Sequence, residues 1–273
     1  MNIFDREAVE AGIVNTQFAG RVAHFASVSS TNLTAMEAAQ AGARVGVWVA
    51  DEQTAGRGRG GHGWHSSVGE GLYASVLITP ALPITTALWI SLATGLATKA
   101  AIREVTALDA DIRWPNDLLI HSRKCGGILV ETAVSPAEAE RPAMLRYAVI
   151  GIGINISQTG FPAEIVSLAT SLKLECNSTG NNIRREALLV ALLRQLDLEI
   201  EQLVRDWHET YSGQRLFERF AAGSSWVKGK RVSVDECGGF TGVTAGLDER
   251  GFLLVDADDG ARRTVLSGGV REL

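Results

Sequence analysis

The sequence predicts an α+β protein in two parts, a large domain of strands and helices over 1–223 and a small all-β domain over 224–273. Three observations carry this. Apolar, β-branched runs at 45–50 and 147–156 have the length and composition of buried strands. The stretch 86–105 and the leucine-rich stretch from 183 to 222 place apolar residues at helical spacing. Beyond Gly223-Ser224-Ser225 the composition shifts to short strand patterns separated by turn signals.

In chain order, Leu33 to Gln40 is a good helix pattern, and Ser30, Thr31 and Asn32 before it are all N-cap residue types. Their hydroxyls and amide, beside free backbone N–H groups, also suit the polar head of a ligand. The strand 45–50 delivers Asp51-Glu52-Gln53-Thr54 to a glycine-rich loop, and the strand 72–78 leaves it, so the loop is expected at a sheet rim. A long helix over 86–105 follows, with Leu88, Leu92, Leu96 and Ile102 among its apolar positions. Residues 111–120 read as strand, turn and strand, because Pro115 lacks a donor and breaks the ladder. Asn116 and Asp117 stand at that turn.

Lys124 immediately precedes Gly126 and Gly127, which are expected at the mouth of the strand 128–131, where glycine lets a ligand approach the backbone. In the strand 147–156, Gly151 and Gly153 argue for close approach on one face. A buried Asn155 must find partners or cost roughly 1–3 kcal/mol, so it either ties down a neighbouring loop or reaches a ligand. No GxGxxG follows, so this is not a dinucleotide fingerprint. Residues 160–182 form a Gly/Ser/Asn-rich connection, and helices are expected over 183–206 and 207–222. The last part reads as strands over 229–236, 240–247, 251–257 and 262–266.

The stretch with the most chemistry is Gly56-Arg57-Gly58-Arg59-Gly60-Gly61-His62-Gly63-Trp64, in which five of the first eight residues are glycine. Ordering eight residues costs on the order of 10 kcal/mol. Charge-assisted hydrogen bonds from Arg57 and Arg59 return about 3–6 kcal/mol. The loop is therefore expected to be mobile when empty and to close over an anionic ligand that also meets its backbone N–H groups.

Composition limits the classes. Lys and Arg number 26 against 31 Asp and Glu, a net charge of −5, which disfavours sequence-independent nucleic-acid binding. The first residues lack the basic and apolar regions of a signal peptide, and the most apolar long run, 86–102, is too polar to span a membrane. Cys125, Cys176 and Cys237 form no CxxC pair, and the five histidines show no metal-ligand spacing. The chain reads as cytoplasmic. A polar strand-end constellation without a Ser-His-Asp or Cys-His set and without a Walker A sequence suits attack of a carboxylate on the α-phosphate of ATP.

Five motifs in order resemble those of the biotin–protein ligases: Ser30-Thr31-Asn32, Gln53-Thr54-Ala55-Gly56-Arg57-Gly58-Arg59…Trp64, Trp114-Pro115-Asn116-Asp117, Lys124-Cys125-Gly126-Gly127-Ile128-Leu129-Val130-Glu131, and Gly151-Ile152-Gly153-Ile154-Asn155. The resemblance implies a mixed or antiparallel sheet flanked by helices, like the class II synthetases, with an SH3-like barrel at the C-terminus. It implies formation of biotinyl-5′-AMP from biotin and Mg-ATP, then transfer to a lysine of the biotin carrier domain of an acyl-CoA or pyruvate carboxylase.

By the same resemblance, Ser30, Thr31, Asn32 and Gln53 bind the ureido end of biotin. Arg57, Gly58 and Arg59 belong to the loop over the adenylate. Lys124 meets the carboxylate and α-phosphate and neutralises charge, Asn116 and Asn155 support the nucleotide, Asp117 serves the metal–phosphate region, and Trp64 covers the adenine. Gly56, Gly126 and Gly127 complete the binding set, and Mg2+ comes with ATP on ligands the sequence does not identify.

Several positions depart from the family pattern: Gly60 and His62 where more arginine is usual, Arg113 for lysine, and Ser267-Gly268-Gly269 for Ser-Gly-Asp. Residues 1–28 are too few for a DNA-binding helix-turn-helix, so a monofunctional ligase with no DNA partner is expected. The alternatives are a lipoate–protein ligase or octanoyltransferase on the same fold, and a non-catalytic nucleotide-binding module.

Overall fold

The longest strands meet at the centre of one sheet. A computed structural model describes residues 4–135, 143–176, 183–267 and 269–273. Its first sheet contains β1 (Val22–Phe25), β2 (Gly46–Ala50), β3 (Gly71–Ile78), β4 (Asp111–Arg113), β5 (Asp117–Ile120), β6 (Arg123–Val134) and β7 (Leu145–Asn155), in the order β1-β2-β3-β7-β6-β5-β4. β1 and β2 pair parallel and every other neighbour pairs antiparallel, so the sheet is mixed, as the resemblance implied. β3 and β7 pair from Gly71 opposite Asn155 to Ile78 opposite Ala148, and all of β3 is buried, as a central strand covered on both faces should be.

Alternation along β3 and β7 divides the covering helices between the two faces. Leu77 and Val149 pack with Ala35 and Ala39 of α2 (Thr31–Gln40), the second helix after α1 (Arg6–Gly12). Val76, Ile78 and Ile150 point the other way. They join a larger core with Ile90 and Ile102 of α3 (Ala87–Thr106), Leu188 and Leu192 of α5 (Arg185–Thr210), and Phe220 of α6 (Gln214–Gly223). The short α4 (Leu172–Glu175) adds the buried Leu172 to this core, beside the start of β6 and the end of β7. No helix among the described residues is long and apolar enough to cross a membrane.

The second sheet contains β8 (Lys228–Val234), β9 (Phe240–Leu247), β10 (Leu253–Ala257), β11 (Arg262–Val265) and β12 (Val270–Glu272), in the antiparallel order β11-β10-β9-β8-β12. Its buried Val232, Val234, Leu253 and Val255 are continuous with the larger core. Two indoles, one on α3 and one just after β4, hold its β9–β10 turn: Trp89 Nε1 donates to the Arg250 carbonyl at 2.7 Å and Trp114 Nε1 to that of Gly251 at 3.0 Å.

Four details differ from the sequence reading. α1 and β1 were absent from it, being only seven and four residues long. The break between the last two helices falls at Tyr211, which takes a left-handed φ of 53°, four residues beyond 207, because apolar spacing continues through Leu203 without a breaker. β6 begins at Arg123, so Gly126 and Gly127 lie inside the strand, not at its mouth. A fifth C-terminal strand, β12, is three residues long and is held by pairing with β8. The connection expected over 160–182 is described as far as 176, and Gly268 of the Ser-Gly-Gly departure lies outside the described residues.

Candidate active site

The first turn of α2 packs against the middle of the sheet through polar atoms. Ser30 is its N-cap residue but makes no side-chain cap bond. That role falls to Gln53, whose Oε1 accepts from the Thr31 backbone N–H at 2.9 Å and from the Thr31 hydroxyl at 3.1 Å. Ser75 Oγ of β3 lies 2.7 Å from Thr31 Oγ1 and 2.5 Å from Asn32 Oδ1. The Asn32 amide donates to Glu131 Oε2 at 2.8 Å. A Cβ on Gly151 would stand 2.4 Å from Asn32 Oδ1, so glycine is what lets α2 approach β7 here.

The glycine-arginine stretch is a small hairpin. Trp64 N–H donates to the Gly56 carbonyl at 2.9 Å, Gly58 N–H to that of His62 at 2.7 Å, and Arg57 bridges Gly63. Its tip turns through Gly60 and Gly61 at φ of 67° and 80°, in the region that favours glycine. The Gly60 departure is thus a turn residue here. Trp64 lies back over the sheet in the trough of Gly127 and Gly153, 3.0 Å and 2.4 Å from where their Cβ atoms would be. Burial lowers the pKa of the Arg59 guanidinium, against the pull of Asp117 and Glu236. Its Nη1 and the Trp64 Nε1 are buried without a partner among the described residues.

Three adjoining pockets result. The first, about 40 Å³, lies between the α2 turn and the hairpin. The second, about 330 Å³, lies between the hairpin and Ser267 and Gly269 and carries Arg59, Arg113 and Asp117. The third, about 370 Å³, has Asn155 beside Phe161, Ile165 and Leu168. Lys124 and Trp64 line all three. The Lys124 backbone is clamped, with its N–H donating to the Leu168 carbonyl at 2.7 Å and its carbonyl accepting from Thr170 N–H at 2.9 Å. Its Nζ stands 2.5 Å from Asp117 Oδ1, whose other oxygen is 2.6 Å from Arg113 Nη2. Burial pushes the Asp117 carboxyl up, but the Lys124 and Arg113 cations together hold it below the ordinary carboxylate range.

Eleven sequence-predicted residues meet at the first pocket: Ser30, Thr31, Asn32, Gln53, Arg57, Gly58, Arg59, Trp64, Asn116, Lys124 and Gly127. Asp117 lies at the second and Asn155 at the third. Gly56 and Gly126 line none of the three; a Cβ would meet the Trp64 carbonyl at 2.5 Å in one case and the Gly153 carbonyl at 3.1 Å in the other, so both are packing glycines. Asn155 ties down the neighbouring loop, since its amide donates to the Thr170 carbonyl at 2.9 Å, and it also lines the third pocket. Arg57 does not wait free but pairs with Glu131 at 3.0 Å.

Ser75 and Glu131 escaped the sequence reading as site groups. A small hydroxyl inside the otherwise apolar strand 72–78 was the signal for Ser75, and Glu131 closed a quoted motif without a role. Among the described residues, no three His, Cys, Asp or Glu side chains gather as metal ligands.

Gly153 gives a direct check on the trough. Gly153→Ala is expected to expel the Trp64 ring, seen as a red shift of its emission, and to weaken ligand binding at least tenfold. An unshifted spectrum with wild-type binding would show that the ring does not depend on this glycine.

The chain matches the biotin/lipoate A/B protein ligase family over 24–155 and the biotin protein ligase C-terminal domain over 229–270. It is 35% identical over 242 residues to the bifunctional ligase/repressor BirA of Bacillus subtilis, covering 86% of this chain and 69% of that protein. It is 32% identical over 252 residues to the biotin–[acetyl-CoA-carboxylase] ligase of Mycobacterium tuberculosis, covering 89% and 85%. The fold superposes on the biotin protein ligase from Aquifex aeolicus in complex with biotin and ATP, with a TM-score of 0.73 at 26% identity, over 93% of this chain and 100% of that one. On these matches and this architecture, the chain belongs to the biotin/lipoate A/B protein ligase family, as a biotin protein ligase.

Proposed function

We propose that this ligase joins biotin to the α-phosphate of ATP and passes the biotinyl group to a lysine of a carboxylase carrier domain, with residues 1–223 as the ligase domain and 224–273 as its C-terminal companion. The observation that carries the reading is the position of Lys124 in the wall common to three pockets of different character. The hydroxyls and amides of Thr31, Asn32 and Gln53 suit the ureido ring. The cations Arg59 and Arg113 suit the triphosphate, and Phe161, Ile165 and Leu168 beside Asn155 suit the adenine. Trp64, on the trough and in the wall of all three pockets, then lies between the substrates and borders the adenine pocket.

In the first step a biotin carboxylate oxygen attacks the α-phosphorus, and pyrophosphate leaves with the electrons of the broken bond. In the second, the amine of the carrier lysine attacks the acyl carbon of biotinyl-5′-AMP, loses its proton to solvent, and AMP departs. No enzyme nucleophile is needed, so the protein contributes position and charge. Mg2+ enters with ATP as Mg-ATP. Asp117 does not fit as its ligand in this arrangement, because one oxygen is committed to Lys124 and the other to Arg113. Its part is to position Lys124, in place of the metal–phosphate role the resemblance implied.

The test is a carrier domain incubated with the protein, Mg-ATP and either labelled biotin or lipoate. Labelling with biotin alone, together with biotin-dependent ATP–pyrophosphate exchange, is expected. Labelling with lipoate instead, or no exchange with either acid, would overturn the reading.

A further inference from the structure

An acidic side chain stands at the end of the first pocket with no part in the chemistry above. Glu131 shares one face of β6 with Gly127 and Leu129, which line that pocket. Its Oε2 accepts from the Asn32 amide at 2.8 Å, and its Oε1 lies 3.0 Å from Arg57 Nη2 in the hairpin. Asn32 is itself fixed by Ser75, which also reaches Thr31. A continuous polar chain therefore runs from the pocket floor to the hairpin and ends in an ion pair.

The pair is placed so that a ligand can break it. The Arg57 side chain is 42% exposed and that of Glu131 22%, so water and small anions reach both, while the Asn32 end is buried. With the hairpin down the first pocket is about 40 Å³. Ligand clefts usually hold roughly 300–1,000 Å³. Entry of a substrate thus calls for the hairpin to lift, and the Arg57–Glu131 contact is an ion pair that ties it to β6.

We propose that Glu131 is a latch: its carboxylate stands in for the substrate's anion on Arg57 while the site is empty, and the arriving carboxylate or phosphate takes Arg57 over. The identity of that anion rests on the biotin and ATP reading, but the latch itself does not. Glu131 is a positioning residue, because it acts through Arg57 and Asn32 and touches no reacting atom. Neutralising it frees the hairpin without disturbing the floor, since a glutamine oxygen still accepts from Asn32.

The experiment compares wild type, Glu131→Gln and Glu131→Asp by limited trypsin cleavage after Arg57 and Arg59 of the ligand-free protein. Stopped-flow tryptophan fluorescence then follows association with biotin alone and with Mg-ATP alone. Loss of a part-exposed ion pair predicts roughly fivefold faster cleavage and association for Glu131→Gln, with Glu131→Asp, which keeps the charge, closer to wild type. The ligand that shows the faster association in Glu131→Gln identifies the competing anion. Equal cleavage in wild type and Glu131→Gln overturns the latch, and so does an aspartate variant cleaved as fast as the glutamine one. If Glu131→Gln does not fold, Arg57→Lys, which keeps a trypsin site on a shorter and less directional cation, decides through the same cleavage. Failure of wild type to bind biotin would remove the functional reading, yet the cleavage rates, which need no ligand, would still decide the latch.

Discussion

Lys124→Ala is expected to lower the rate of biotinyl-adenylate formation by about 10²–10³-fold, the usual cost of removing one preorganised group that meets developing charge. The ammonium is fixed at both ends of the side chain. Its backbone is clamped by Leu168 and Thr170, and its Nζ is held 2.5 Å from Asp117 Oδ1. Little reorganisation is then left for the moment of reaction, and the loss should fall on kcat more than on KM. Alanine leaves the Asp117 charge facing Arg113 alone, so folding is checked separately by thermal denaturation. Single-turnover adenylate formation from biotin and Mg-ATP is the measurement. A variant within tenfold of wild type would place the charge stabilisation elsewhere, with Arg59 and Arg113 the remaining cations of the second pocket.

What the sequence made legible follows from how local each signal is. The strands 45–50, 72–78 and 147–156 are apolar enough to be buried in any arrangement, and they became adjacent central strands of the sheet. Lys124, Asn116 and the residues around Ser30 sit at element ends, where polar side chains among apolar runs already single them out. Contacts made across the fold left no local trace. The pairing of Arg57 with Glu131 joins residues 74 positions apart (131 − 57), and nothing near either one announces the other.

Glycines misled for a related reason. Gly126 and Gly127 are adjacent and look equivalent, but the strand turns one toward Trp64 and Lys124 and the other toward Leu118 and the Gly153 carbonyl. Only the true start of β6 decides which faces the ligand. The hairpin form of the loop was equally hidden, because the register by which Gly58 and His62, and Gly56 and Trp64, hydrogen-bond across it leaves no pattern in the sequence.

Asp117→Ala should destabilise the protein by about 2–3 kcal/mol at pH 7. A fully buried pair that loses one partner costs roughly 3–5 kcal/mol, but here the stranded cations reach water, with Arg113 and Lys124 side chains 28% and 34% exposed, so the lower figure applies. The pH dependence has a definite sign. The Asp117 carboxyl titrates below its ordinary value in the fold, so its contribution is complete above the unfolded-state pKa of about 3.9 and drains away as pH falls through the folded value. Urea midpoints of wild type and variant should therefore differ most near neutrality and converge below about pH 4.

The same titration separates the two roles open to this carboxylate. A residue kept only to bind Mg2+ would contribute nothing to the stability of the metal-free protein. A residue kept to hold Lys124 and Arg113 stabilises the metal-free protein. Measured in EDTA, a lower midpoint for Asp117→Ala than for wild type at pH 7 is the expected result, and equal midpoints would return Asp117 to the metal.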